Sequence, residues 1–214
     1  MKEEDMEIEL KYSLGDPKNA ERLFTDEEIR AVTDEGSDET VHMHAVYFDT
    51  EDKRLSREGM VFRVRCEDRK LVGTLKWNGH SESGMHEREE INIPLRPLRD
   101  EYDLYKPDID IFRQSPVCNK LRKLVGKREL INVLETDFIR RQVRIDIGDA
   151  ICELSVDTGR LIRGDLTGSV AEVEIELYSG DRSEMEKWGA HIAEKYGLEP
   201  ENRGKFRQGM ELTR

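Results

Sequence analysis

Glu7-Ile8-Glu9-Leu10-Lys11, followed by Tyr12, is the stretch on which the fold turns. Read with period 2 it is a strand, with Glu7, Glu9 and Lys11 on one face and Ile8, Leu10 and Tyr12 on the other. Two carboxylates two residues apart on one strand face repel each other unless a cation sits between them. A lysine one pleat further on can hold an anion beside that cation. An exposed strand can carry the same pattern as solvated surface, so the test is whether other strands repeat it.

They do. Met60, Phe62, Val64 and Cys66 oppose Arg63 and Arg65, while Leu75 and Trp77 oppose Thr74 and Lys76. From 86 to 93, His86, Arg88, Glu90 and Asn92 share a face. From 134 to 147, Phe138, Arg140, Gln142, Arg144 and Asp146 oppose a largely aliphatic row. Glu153, Ser155 and Asp157 oppose Cys152, Leu154 and Val156, and Glu172, Glu174 and Glu176 oppose Val173, Ile175 and Leu177. Eight candidate strands, seven of them with one apolar and one charged face, against about four helical pieces predict a mainly antiparallel α+β fold. A sheet with one wet face mixes signs, whereas here acid and base are sorted by strand. Closing the sheet into a barrel turns the charged faces inward and leaves the apolar faces for helices to cover. Acid strands then suit a hard divalent cation, Mg²⁺ or Mn²⁺, and basic strands suit several phosphate groups.

Between the strands the punctuation is local. Asp16-Pro17 reads as a helix start, as does Thr25 with Glu28, and 34–39 is an acidic loop. Val41 to Thr50 is a strand whose exit Tyr47 and Asp49 shape. Asn78 to Gly84 reads as a turn or loop. A helical insert at about 97–130 contains a helix from Ser115-Pro116 to Gly126. Gly148-Asp149 is a hairpin signal, with further turns expected at Thr158-Gly159 and Asp165–Gly168. Ser183 with Glu186 opens a helix over about 183–196, and the tail 202–212 reads as a last short strand. No repeat of 20–50 residues is visible, so 1–214 is expected to be one domain. His86 reads as a solvated loop-edge residue, and Trp77, Trp188 and Phe62 as packing groups.

The formal net charge of −12 argues against a general nucleic-acid binder. Cys66, Cys118 and Cys152 are odd in number and lack metal-type spacing, which predicts buried free thiols in a reducing compartment. No apolar run reaches membrane-span length and no signal peptide opens the chain, so a cytoplasmic location without membrane attachment is expected. Oligomeric state is open, a homodimer included.

These residues resemble, in order along nearly the whole chain, the signature of the CYTH superfamily, the triphosphate tunnel metalloenzymes. Glu7-x-Glu9-x-Lys11 is similar to its opening motif, Leu55 with Gly59, Arg63 and Arg65 to its R-x-R segment, and Thr74-Leu75-Lys76 to its lysine strand. Arg88-x-Glu90, Thr136 to Arg140, Glu153-x-Ser155-x-Asp157-x-Gly159, Glu172-x-Glu174-x-Glu176 and Lys205 follow in place. The resemblance implies an eight-stranded antiparallel tunnel that binds a triphosphate with Mg²⁺ or Mn²⁺. By position, Lys11, Arg63, Arg65, Lys76, Arg88, Arg140 and Lys205 would hold phosphates. Glu7, Glu9, Glu172, Glu174 and Glu176 would hold metal. Lys11, Arg63 and Arg65, with Glu90, Glu153 and Asp157 as further ligands or orienters of water, would carry the chemistry. One departure stands out: the family's lysine is followed three residues later by Arg-Gly, whereas Lys205 is followed by Gln208-Gly209, and Arg207 is a candidate substitute from the same strand face.

Within that family the choice lies among inorganic triphosphatase, thiamine triphosphatase, adenylate cyclase and RNA triphosphatase. With Phe62 pointing outward, no inward aromatic is expected beside the arginine pair to hold an organic group, and the helical insert resembles the bacterial triphosphatase type. Hydrolysis of inorganic triphosphate is therefore the favoured expectation. A polyphosphate- or nucleotide-binding module without turnover is the alternative from another class, and a sheet with a merely wet face is the third.

Overall fold

A computed structural model of the chain describes residues 5–16, 18–96 and 100–213. Its core is a closed antiparallel barrel of eight strands. β1 spans Asp5–Ser13, β2 Glu39–Asp49, β3 Val61–Glu67 and β4 Lys70–Glu82. β5 spans Met85–Pro94, β6 Ile131–Ile147, β7 Ala150–Arg163 and β8 Leu166–Gly180. The order around the barrel is β5-β4-β3-β2-β6-β7-β8-β1, and β1 closes the ring by pairing with β5 as well as β8. The opening motif lies at this seam: Glu7 stands opposite Arg88 on β5, while Glu9 and Lys11 stand opposite Glu176 and Glu174 on β8.

Most of the alternating apolar faces point out of the barrel and are covered. Helices α1 (Asn19–Thr25), α2 (Glu27–Val32) and α5 (Arg182–Tyr196) bring Leu23, Phe24, Ile29, Met185 and Ile192 onto Cys152, Leu154, Val173 and Ile175. On the other side α3 (Arg54–Arg57), two 3₁₀ turns (Glu101–Tyr105 and Ile109–Phe112) and α4 (Val117–Val125) place Phe112, Leu121 and Val125 against Phe62, Val64 and Leu75. Asp49 shapes the exit of β2, as its position suggested. Its buried carboxylate accepts from the backbone of Thr50, Leu55 and Ser56 and from the Ser56 hydroxyl, which anchors α3.

A third apolar cluster breaks the pattern by lying inside the barrel. Met43, Ala45, Tyr47, Leu134, Phe138, Leu161 and Val170 fill one end of the lumen and meet Phe206 and Leu212 from the tail. The tail is not a strand. After a two-residue bridge, β9 (Glu199–Pro200), it forms helix α6 (Lys205–Met210), which stops that end of the barrel. Gly209 makes the seat possible, because a Cβ there would lie 2.3 Å from the Leu134 side chain. Arg163 fixes the end of the plug by donating to the carbonyls of Met210 and Leu212.

Several local expectations are corrected. β7 runs straight through Thr158-Gly159. Gly159 is needed because its backbone lies against Phe138, where a Cβ would come within 2.5 Å of the Asp137 carbonyl oxygen and of Phe138 Cα and Cβ. The next turn is Gly164-Asp165, directly before β8, with Gly164 at φ 58°. β4 continues through a bulge at Asn78-Gly79 to Glu82, and the chain reverses at Ser83-Gly84. Asp26, not Thr25, caps α2, and Asp181, not Ser183, caps α5; each Asp accepts from a backbone N–H two residues on. The first helix begins at Asn19 after the Asp16 side chain accepts from Lys18 N, and the expected role of Pro17 lies outside the described residues, as does the 97–99 boundary of the insert. Within the insert, α4 ends at Gly126 as expected. All three cysteines are buried and unpaired with one another. Among the described residues no helix is long and apolar enough to cross a membrane.

Candidate functional site

The lumen holds a cavity of about 610 Å³, lined by Lys11, Arg63, Arg65, Lys76, Arg88, Arg140 and Lys205 and by most of the expected carboxylates; Arg144, on the same predicted face, lies outside it, exposed and paired with Asp34. Glu172 and Asp157 lie buried at its base, beside the plug. Charges of opposite sign meet across neighbouring strands. Arg140 on β6 makes a bidentate pair with Asp157 on β7, both bonds 2.7 Å, and also reaches Glu174 on β8. Lys76 on β4 lies 2.6 Å from Glu7 and 2.7 Å from Glu90, and Arg88 on β5 bonds both Glu7 and Glu9. Lys11 lies 2.7 Å from Glu174. Burial would raise the carboxyls of Glu7, Glu174 and Asp157, but the facing cations outweigh it and hold all three below their ordinary values.

Two places in the lumen are left uncompensated. The first is positive. Arg63 and Arg65 project from β3 beside the small Ala45 of β2, with Arg140 one strand further on. Arg63 donates to the Tyr47 hydroxyl at 3.4 Å and Arg65 to Glu67, yet the Nε of each is buried without a partner. Burial, then the charge of Arg63, pull the Arg65 guanidinium below its ordinary value, which marks an excess of positive charge at Arg65; at Arg63 burial is outweighed by Tyr47, Glu90 and Glu7, which hold its guanidinium above its ordinary value. The second place is negative. Glu176 stands beside Glu9 on one side and Glu153 on the other, and has no cation within ion-pair distance among the described residues. Burial and the charges of Glu7 and Glu9 push its carboxyl up to about 8. Burial also raises Glu153, whose oxygen accepts from the Tyr178 hydroxyl at 2.6 Å.

An orphaned pair of guanidinium nitrogens facing an unneutralised carboxylate group is a donor set that fits a divalent cation with a polyanion. Oxygen-only ligands of this kind suit Mg²⁺ or Mn²⁺. Glu172 and Glu174 are engaged differently from Glu176: with Asp157 they surround Lys205 and Lys11. The closing arginine question also has an answer in geometry. Because 205–210 is a helix, the residue three positions after Lys205 shares its face, and the Gln208 amide donates to Glu172. Arg207 points away and pairs with Glu211 at the surface.

Sequence reasoning missed Tyr47. Its ring lines the cavity and its hydroxyl meets Arg63, so an aromatic does stand beside the arginine pair. Burial alone would raise its phenol; the Arg63 charge and hydrogen bond outweigh it and leave the phenol below its ordinary value. The signal was available in the strand register, since Tyr47 pairs directly with Arg63 in the β2–β3 ladder. Val41, Met43, Phe138 and Phe206 line the cavity as well. His86, expected in solvent, is buried: one ring nitrogen meets the Ser81 hydroxyl and the other the Glu201 carbonyl, both at 2.7 Å. Burial lowers its imidazole, which matches a neutral ring that ties β5 to the tail.

A barrel with a charged, enclosed lumen and the opening Glu-x-Glu-x-Lys strand at its seam defines a charged-tunnel protein. The CYTH domain family matches residues 5–208, and the chain belongs to that family. An inorganic triphosphatase of Haemophilus influenzae is 31% identical over 144 residues, or 65% of this chain; the chain spans 37% of that relative's length. Among solved structures, a Hippeastrum protein of adenylyl cyclase type, described as having a dominant triphosphatase activity, superposes with a TM-score of 0.67 at 19% identity, covering 95% of each chain. A Bacillus halodurans adenylate cyclase candidate gives 0.58 at 20% identity, covering 95% of this chain and 97% of that one. A Pyrococcus horikoshii protein gives 0.56 at 17%, covering 96% and 98%. At these identities the structural likeness is one of fold.

Proposed function

We propose that the chain hydrolyses inorganic triphosphate to pyrophosphate and orthophosphate with the help of Mg²⁺ or Mn²⁺. The observation that carries this reading is a pair of opposed, incompletely satisfied places in one lumen: the buried Nε atoms of Arg63 and Arg65 without hydrogen-bond partners, and Glu176 without a cation in ion-pair reach among the described residues. A linear triphosphate with a divalent ion satisfies both at once. The triphosphatase of Haemophilus influenzae supports the substrate class.

In this reading Arg63, Arg65 and Arg140 clamp phosphate oxygens in bidentate fashion, while Lys76 and Arg88 on the neighbouring β4 and β5, and Lys11 on β1, add positive charge. Lys205 closes the phosphate site from the plug. Glu7, Glu9 and Glu176 would hold the metal, which would supply neutralisation of phosphate charge. Water attacks the terminal phosphorus, the bond from that phosphorus to the bridging oxygen breaks, and pyrophosphate departs. Glu153, with no ion pair and a raised carboxyl, is placed to take the proton of that water, and Tyr178 orients it. Glu90 and Asp157 act through Lys76 and Arg140, which they hold in position. The Tyr47 hydroxyl is a further donor toward the phosphates on the arginine side. The buried free thiols suit a reducing cytoplasm.

Tyr47 also supports a second reading, in which its ring faces the organic part of a thiamine or adenine triphosphate. A substrate panel of triphosphate, thiamine triphosphate and ATP, with phosphate, pyrophosphate and cyclic nucleotide measured for wild type and Glu9→Gln, decides between the two. The expected result is turnover of triphosphate above the others and its loss in Glu9→Gln. Ligand binding without turnover of any of them would make the protein a binding module.

A further inference from the structure

Asp157, Glu172 and Glu174 form the one group of three carboxylates among the described residues whose oxygens lie within 4.8 Å of one another, a spacing that suits a metal ion. A cation of the chain's own is already there. Lys205 Nζ lies 2.6 Å from Asp157, 2.6 Å from Glu172 and 2.8 Å from Glu174, at the first residue of the plug helix. The local charge closes without a metal: three carboxylates face Lys205, Lys11 and Arg140. Glu176, at the other end of the same row of glutamates, has no such partner.

We propose that the Lys205 ammonium is a built-in substitute for a second divalent cation. It fills the carboxylate group at the base of the tunnel, so that metal loads only at the Glu7, Glu9 and Glu176 end. The inference deepens the metal-dependent reading above and rests on it. Withdrawing the ammonium leaves a buried group one positive charge short, and an uncompensated buried carboxylate recruits a cation or loses stability. A dication with oxygen ligands is the available replacement. The lysine comes on the plug, so seating the plug and excluding the second ion are one event. Lys205 is thus a positioning residue whose removal creates a site instead of only emptying one.

The test counts metal without substrate. Mn²⁺ is titrated into wild type, Lys205→Met and the double variant Lys205→Met/Asp157→Asn, and free Mn²⁺ is read by its electron paramagnetic resonance signal. Lys205→Met is expected to bind one Mn²⁺ per chain more than wild type, and the double variant to lose that ion. Lys205→Gln, counted in parallel, provides a second folded protein, and Lys205→Arg is expected to keep the wild-type count. Equal, non-zero counts in wild type and both uncharged variants would overturn the proposal while leaving the metal-dependent reading intact. Survival of the extra ion in the double variant would overturn it too. No Mn²⁺ on any of the proteins would overturn the metal-dependent reading and the proposal together.

Discussion

The two halves of the barrel obey the same strand alternation and use it in opposite ways. In one half the outward faces are aliphatic and covered by helices, and the lumen is charged; β6 shows it with Val143 and Ile145 outside and Arg140 and Gln142 within. In the other half the outward face is wet, with Asp137, Arg160 and His42 forming ion pairs on it, and the lumen is apolar, with Phe138, Leu134 and Leu161 under the plug. A single strand therefore changes the chemistry of its inner face between Phe138 and Arg140. The apolar half is a stopper and a rigid floor; the charged half stays open to ligand. Burial of charge is tolerated where opposite charges are paired, and in the proposed function it is left incomplete where substrate and metal would complete it.

Charges that lack partners and charges that have them ought to separate under mutation. Arg63→Ala removes a cation that makes no close ion pair, so kcat/KM for triphosphate is expected to fall about 10²–10³-fold, as for loss of one transition-state donor, with little change in thermal midpoint. Arg140→Ala should lose activity as heavily and also about 3–5 kcal/mol of stability, because Asp157 and Glu174 are left buried without it. Steady-state kinetics alongside urea unfolding checks both; equal stability loss in the two variants would erase the distinction.

In the apolar half the expectation reverses. Phe138→Ala should cost about 3–5 kcal/mol of folding stability through the cavity it leaves. It should also lower plug seating, measured by protection of the α6 amides against hydrogen exchange.

Glu176 gives the pH test. Its folded carboxyl is raised to about 8 from 4.5, so the metal-free folded state holds a proton that the unfolded chain releases. Stability from this group is full below about 4.5 and is lost as pH rises through 8. His86 works in the other sense, since its lowered imidazole adds stability above its ordinary range. The difference between wild type and Glu176→Gln isolates the first effect: unfolding of metal-free protein from pH 5 to 8 should show a falling slope in wild type that the variant lacks. Excess Mn²⁺ should flatten the wild-type slope. The smallest effect is expected at Arg207→Ala, within about 0.5 kcal/mol and without kinetic consequence, since that side chain meets only Glu211 at the surface.

The charged half was legible in the sequence because alternation is short-ranged: Arg63 and Arg65, or Glu172 and Glu174, show their shared face within a single strand. The barrel followed from the sorting of sign by strand. What stayed hidden depends on distant partners. Tyr47 becomes a site residue only through its register with Arg63, and His86 is buried only because Glu201 returns to it from the tail. Gly159 reads as a turn until the close approach of Phe138 is known. The tail was misjudged because Lys205-x-Arg207 fits a strand as well as a helix. The choice belongs to Gly209 and Leu134, whose contact gives the helix its seat, and with it the placement of Gln208.

A metal-bound triphosphate joining the positive and negative ends of the enclosed lumen is the proposed substrate complex. Its most direct test is the products of inorganic triphosphate incubated with the purified protein and Mg²⁺ or Mn²⁺, set against the same mixture with excess EDTA. One orthophosphate and one pyrophosphate per triphosphate, formed only when the divalent ion is free, is the predicted outcome. No product with either ion, or equal product in EDTA, would contradict it.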